Sequence, residues 1–231
     1  MLCWGANVGA VPSMIVLINI AIAFFGVGLA FGLKKPRILM KTKNGRLSLF
    51  SYILFWPYFL LSNLSLGVYR LISRENPIDE IIPDLYLGYK PWHIDKEKFI
   101  QKGIRSVVDL TSEFGEAGFI LKNFKYLSVP LLDTYPPTQG QLYDTVAWID
   151  EQLKSGGVFV HCALGHGRSA TIIGAYLLYA KITSEVQYAV DFIKSKRPKI
   201  DLHKGQFSTL QQYVKANRPL MTSESEDSQG Q

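Results

Sequence analysis

Residues 158–170 read VFVHCALGHGRSA, and this stretch restricts the fold more than any other part of the chain. Val158 to Val160 form a short apolar run of the kind a buried strand shows, His161 and Cys162 follow, and an apolar segment of helical length begins at Ser169. Gly165 and Gly167 lie between them and permit left-handed or close-approach backbone. A strand that turns into a helix through such a loop belongs to an α/β layer arrangement. Five residues (Ala163, Leu164, Gly165, His166 and Gly167) separate the Cys162 thiol from the Arg168 guanidinium. If they curl, their N–H groups converge on one point and make an anion nest at a helix N-terminus. Arg168 can close that nest with two parallel hydrogen bonds to an oxyanion. The same field favours thiolate over thiol, so Cys162 should have a lowered pKa. A phosphate monoester held there offers its phosphorus to the sulfur, and the product is a cysteinyl phosphate that water hydrolyses.

The rest of the C-terminal part repeats the alternation. Ile81 to Leu87, Ile104 to Leu110 and Tyr126 to Leu132 are strand-like. His93 to Lys102 reads as a short helix stopped by Gly103, and Leu142, Val146, Ile149 and Leu153 mark an amphipathic helix ended by Gly156 and Gly157. Ser169 to Ala180 is a largely apolar helix, Ser184 with Gln187 makes a capping box for a helix to about Lys196, and Gln206 to Ala216 forms the last. The expected fold is α/β, with a central, largely parallel sheet flanked by helices over residues 78–217. The polar tail, residues 218–231, is expected to be disordered.

The N-terminal third is of another kind. Residues 1–33 carry no charge, and Val11 to Leu33 is long enough to cross a hydrocarbon core of ~30 Å. A cleaved signal peptide competes with a retained transmembrane helix; the missing basic residues before the run and the positive cluster after it favour retention. That cluster, residues 34–46, holds Lys34, Lys35, Arg37, Lys41, Lys43 and Arg46. It accounts for the whole formal charge of +6, so the basic balance is not a nucleic-acid signal. Residues 47–72 form a second, aromatic-rich segment, uncharged from Leu47 to Tyr69 and interrupted by Pro57, with Ser48, Ser51, Ser62 and Ser65 on one side of the helical wheel. It can be a second span, a re-entrant segment or a helix lying in the interface. Two spans with a cytoplasmic basic loop put the C-terminal domain outside; one span plus an interfacial segment keeps it in the cytoplasm, where a functional thiol stays reduced. The only other cysteine, Cys3, is far away in sequence, which gives neither a disulfide framework nor zinc spacing.

His161-Cys162-x-x-Gly165-x-x-Arg168-Ser169 resembles the signature loop of cysteine-dependent phosphatases of the protein-tyrosine and dual-specificity superfamily. The resemblance extends over about residues 80–216, through IIPDLYLG, GIRSVVDL and the Asp133 loop. It implies Cys162 as nucleophile, Arg168 as phosphate ligand with the loop amides of residues 163–167, Ser169 as the group that helps the thiolate leave, and His161 as a support for the loop. It implies Asp133, in VPLLDTYPPT, as the general acid, and Asp109 as structural. It implies no cofactor and no metal. The segment LFWPYFLLSNLSLGVYRLISRENP resembles the stretch before the catalytic domain of phosphatidylglycerophosphate phosphatases of the dual-specificity type and, more closely, the anchors of bacterial membrane phosphatases of this kind. Ala163 and His166 depart from the basic loop residues of the former.

The plainer readings are a buried structural Cys162, a metal site at His161, Cys162 and His166, which too few ligands support, and a pseudophosphatase that binds phosphate without turnover. Asp144 and Asp150 read as surface charges, Trp92 and Trp148 as packing residues, Arg197-Pro198 as a helix end, and the Glu113 to Gly118 gap as structural or pocket rim. His166 reads as a rim residue whose charge tunes phosphate affinity. The expected substrate is a lipid phosphate at the membrane face. The alternative is a phosphoprotein near the membrane.

Overall fold

The structure is a computed structural model and describes residues 10–226. The second half is an α/β layer built from near-continuous apolar strands. Helices α1 (Ala10–Gly32) and α2 (Leu49–Ile72) precede β1 (Ile78–Ile82), β2 (Leu85–Tyr89), α3 (Lys96–Gln101), β3 (Ile104–Thr111), α4 (Gly118–Asn123), β4 (Lys125–Leu131), α5 (Gln139–Leu153), β5 (Gly157–Cys162), α6 (Arg168–Tyr179), α7 (Val186–Lys196) and α8 (Lys204–Glu226). The sheet order is β1-β2-β5-β3-β4; β1 and β2 are antiparallel and all other pairs parallel.

Alternation along the strands sorts side chains to two faces. Leu85, Leu87, Val108, Leu110, Val158 and Val160 join the main core with Leu142, Val146, Ile149 and Ile173 from α5 and α6. Tyr86, Val107 and Phe159 turn the other way, onto Phe99 of α3 and Phe119 and Ile120 of α4. With both faces covered, β5 is apolar without a break from Val158 to Val160, and β3 is buried at every position but Arg105.

Three readings of the sequence need correction. Ile81 to Leu87 is not one strand: Asp84 takes a positive φ of 64° and turns the chain back between β1 and β2. Ser184 does not cap α7; the N-cap is Glu185, which has no side-chain cap bond, and its N–H donates to Thr183 Oγ1 at 3.1 Å. The last helix does not end near Ala216 but runs to Glu226, because no glycine stops it before Gly230. Only residues 227–231 of the expected disordered tail lie outside the described residues, as does Cys3.

The N-terminal helices pack on each other and on the α/β layer. Ala23, Ala30, Leu39, Leu47, Phe55 and Phe59 share one buried cluster with Leu132, which follows β4. Ser48 caps α2 by accepting from Ser51 N–H at 3.1 Å, and the helix kinks at Phe55, two residues before Pro57, whose ring cannot continue the hydrogen-bond ladder. The serine face turns partly inward: Ser51 is buried and donates to the Leu39 carbonyl at 2.7 Å.

Candidate active site

Parallel strands deliver their C-terminal ends to one edge of the sheet, and there β5 hands over to α6. The connecting loop is held with its carbonyls outward. The Ala163 carbonyl accepts from Lys90 N–H at 3.0 Å. Arg197 donates to the carbonyls of Gly165 and Leu164, both at 2.9 Å. With those oxygens tied back, the loop N–H groups are free to face its interior. Gly165 has φ of 73°, and a Cβ there would stand 2.5 Å from the Gly88 carbonyl, so only glycine fits. Arg197 is thus more than a helix end. It is fully buried and also binds Asp79 at 2.6 Å, which ties the loop to β1.

Cys162 lies at the floor of this loop. Its Sγ accepts from Gly165 N–H at 3.3 Å and sits 3.3 Å from Ser169 Oγ. Burial alone would push the thiol up. The Arg168 guanidinium, the Ser169 hydroxyl and the loop N–H groups outweigh it and hold Cys162 below the usual thiol range.

Arg168 is buried and clamped from behind. Glu113 accepts from both terminal nitrogens, at 3.0 and 2.7 Å, and the Leu131 carbonyl accepts from Nη1 at 3.0 Å. Burial would push the Glu113 carboxyl up, but the facing guanidinium keeps it below its ordinary value. The Nε of Arg168 has no hydrogen-bond partner among the described residues. A buried unpaired donor costs ~1–3 kcal/mol, which an oxyanion at that position would relieve. Asp133 comes in from the loop after β4, with Oδ1 3.3 Å from Arg168 Nη2, and is largely exposed. Asp133, Cys162, Ala163, Leu164, His166, Gly167 and Arg168 line one cavity of about 190 Å³ with Asp201, His203 and Gln206.

Behind the loop sits a second buried layer. His161 Nε2 bonds Glu116 at 2.7 Å, and its Nδ1 is 3.1 Å from the Cys162 carbonyl oxygen. Burial pulls the imidazole down, but Glu116 and Asp109 reverse this and raise it above the usual histidine value. Asp109 faces away from the cavity and binds Lys41 at 2.5 Å and Tyr126 Oη at 2.7 Å. The ligand-capable atoms of Asp109, Glu116 and His161 lie within 4.8 Å of one another. Lys41 supplies the positive charge for this group, with Lys90 at 3.9 Å from Glu116.

Of the residues expected from the motif, Cys162, Arg168, Asp133, Ala163, Leu164, His166 and Gly167 line one cavity, while Ser169 Oγ and Gly165 N–H reach the Cys162 sulfur at 3.3 Å and His161 bonds back to the Cys162 carbonyl. His166 is a rim residue pinned by Glu75 at 3.0 Å and beside Tyr69 Oη at 3.4 Å. Partial burial lowers its pKa below the usual histidine value despite the facing carboxylate. Asp144 is exposed, Asp150 is half-buried beside Tyr176, and Trp92 packs under Arg70 at 3.9 Å. Glu113 and Glu116, within the gap read as structural or pocket rim, and Arg197 and Lys41, read as a helix end and part of the basic cluster, thus hold the site's charged groups in place. Glu113 and Glu116 follow a buried strand parallel to β5, and that placement was the available signal.

A family model described as the dual specificity phosphatase catalytic domain matches residues 85–216. Human dual specificity protein phosphatase 9 is 32% identical over 125 residues, 52% of this chain and 32% of that protein. Mus musculus dual specificity protein phosphatase 8 is 30% identical over 163 residues, 69% of this chain and 24% of that protein. The chain thus spans a third or less of the length of these curated relatives. The crystal structure of PTPMT1 in complex with PI(5)P superposes with a TM-score of 0.58 at 22% identity, covering 63% of this chain and 99% of that one. Human DUSP28 gives 0.55 at 24%, covering 62% and 97%. These two likenesses define the fold, and the N-terminal helices fall outside the family match. The chain belongs to the dual specificity phosphatase family.

Proposed function

We propose that this chain is a membrane-anchored phosphatase that removes phosphate from a lipid at the membrane face, with the catalytic domain on the cytoplasmic side. The observation that carries the chemistry is the buried Arg168 Nε, unpaired among the described residues, in a residue that lines one cavity with Cys162. The observation that favours a lipid is the position of α2. Its Tyr69 Oη lies 3.4 Å from His166 Nε2 on the loop. In this reading the apolar anchor, which meets the loop through Tyr69, holds the cavity near the bilayer surface.

In this reading the Cys162 thiolate attacks phosphorus and the bond from phosphorus to the ester oxygen breaks. Asp133 gives its proton to that oxygen as the alcohol leaves. The loop amides and Arg168 hold the three remaining oxygens, with Arg168 aligned by Glu113. Water then attacks the cysteinyl phosphate, Asp133 takes the proton back, and the P–S bond breaks. The sulfur departs as thiolate, stabilised by the Ser169 hydroxyl and the Gly165 N–H.

The second reading is a protein phosphatase for membrane-proximal partners, and it is favoured by the names of the curated relatives. The test uses the full chain in vesicles, with Cys162→Ser as blank. Phosphate release from phosphatidic acid and phosphatidylglycerophosphate is compared with release from a phosphotyrosine peptide. Lipid turnover is expected to lead by at least about tenfold in kcat/KM. A peptide lead of the same size replaces the first reading by the second, and release no faster than the blank on every substrate rejects both.

Glu113→Gln is expected to lower kcat/KM about 100-fold with the fold intact, the size of effect seen when one transition-state donor is lost. The amide keeps the volume but cannot accept from both guanidinium nitrogens. Parallel steady-state kinetics and thermal melting check this; wild-type kcat/KM in the variant would remove Glu113 from the site.

A further inference from the structure

We infer that α2 lies along the surface of an anionic bilayer and does not cross it, so that α1 is the single span. This rests on the reading of the chain as membrane-anchored and specifies how the anchor is built.

Both ends of α2 are fastened to the catalytic domain. Just before its N-terminus, Lys41 binds Asp109, the Gly45 carbonyl accepts from Glu116 N–H at 2.8 Å, and Leu47 is buried with Leu132. At its C-terminus, Arg70 binds Asp95 at 2.9 Å and the Lys90 carbonyl at 3.2 Å, and Tyr69 meets Glu75 and His166. A transmembrane helix must place its ends in water on opposite sides of ~30 Å of hydrocarbon. A helix of 24 residues, about 36 Å long, with both ends on one water-soluble domain cannot do so.

Its outer face suits the bilayer surface instead. Ile53, Leu60, Leu61, Leu64, Val68 and Leu71 are each more than half exposed. They share one side of the wheel. The only charge within α2 is Arg70, and it is turned inward, 4.5 Å over Tyr89 and 3.9 Å over Trp92. Beside this apolar side, Lys34, Lys35, Arg37, Lys43 and Arg46 are exposed, and no acidic residue precedes Glu75 in the chain. An uncharged stripe flanked by exposed cations complements anionic headgroups, the pattern of an interfacial helix. Helix α1 differs: its mean hydropathy is 2.5 against 1.4 for α2, and Met14 to Ile18 are all exposed.

The test is depth measurement on the full chain in vesicles of phosphatidylcholine and phosphatidylglycerol. Nitroxide labels are placed one at a time through Ile53→Cys, Leu60→Cys, Leu64→Cys and Leu71→Cys, and through Ile18→Cys on α1, in a Cys3→Ser, Cys162→Ser background. Oxygen and a water-soluble nickel chelate report depth by their collision rates. The four α2 labels are expected at one shallow depth, about 5–10 Å below the headgroups, with the α1 label deeper. Depths that rise to a maximum in mid-helix and fall again mean that α2 crosses the bilayer, which overturns the inference. So do α2 labels shielded from both reagents, which mean a second copy covers this face. In either case a deep α1 label leaves the anchoring itself standing. Labels on both helices in free water sink the membrane reading as a whole.

Discussion

Cys162→Ser is expected to reduce kcat on every phosphate monoester by about 10⁴- to 10⁶-fold, the scale on which removal of a nucleophile acts elsewhere. The loop is built around an anion of sulfur. Arg168, the Ser169 hydroxyl and the Gly165 N–H all favour charge at that atom, and they overcome a burial that leaves it 3% exposed. A serine hydroxyl in the same place does not ionise, so the same groups have nothing to stabilise. The sign of the pH dependence follows. Because the thiol is held below its ordinary value near 8.5, the thiolate fraction rises with pH and reaches its plateau earlier than in an unfolded chain. Alkylation by iodoacetamide in a Cys3→Ser background reads this directly. The midpoint of rate against pH should lie lower for the folded chain than for the same chain in urea, and Arg168→Gln should move it up. A folded midpoint at or above the unfolded one would end the thiolate mechanism.

What could be read in the sequence and what could not divides along physical lines. The catalytic loop was legible because its chemistry is local. A strand, a thiol, two glycines and an arginine at a helix start lie within thirteen residues, and the coordinates place them as that order implies. The central strand β5 is legible because, covered on both faces, it is apolar from Val158 to Val160. Glu113, Glu116 and Arg197 were not, since each acts across a long sequence separation. Nothing in the residues beside Glu113 says that a guanidinium fifty-five positions later will lie against it. The hairpin at Asp84 was missed because an aspartate in left-handed backbone leaves no glycine to mark the turn. The larger omission was Lys41. In a run of basic residues beside apolar segments, every lysine looks like a headgroup contact, and charge pattern cannot tell the one that is buried.

That lysine supports the second large effect. Lys41→Met is expected to destabilise the folded chain by about 3–5 kcal/mol, the cost of leaving one partner of a buried ion pair unpaired. Lys41 and Asp109 are each 1% exposed, and the ammonium also donates to the Thr111 carbonyl at 2.7 Å and to Thr111 Oγ1 at 2.9 Å. Burial would raise the Asp109 carboxyl; Lys41 first, then His161, hold it far below its ordinary value. The stability this adds is therefore fully present above the unfolded carboxyl value near 3.9 and is lost as pH falls through the lowered folded value. Urea unfolding of the full chain in detergent micelles measures the loss at neutral pH. Adding Asp109→Asn to Lys41→Met should recover most of it, since no buried charge then stays unpaired; a single-variant loss below about 1 kcal/mol would remove Lys41 from the core. The consequence reaches the anchor itself. Cutting the chain after residue 46 removes α1 and a core ion pair together, so on the proposed function turnover of a small water-soluble phosphomonoester should fall along with turnover of lipid. Only a cut that keeps residues 34–48, or a change confined to the outer face of α2, separates loss of the membrane from loss of the fold.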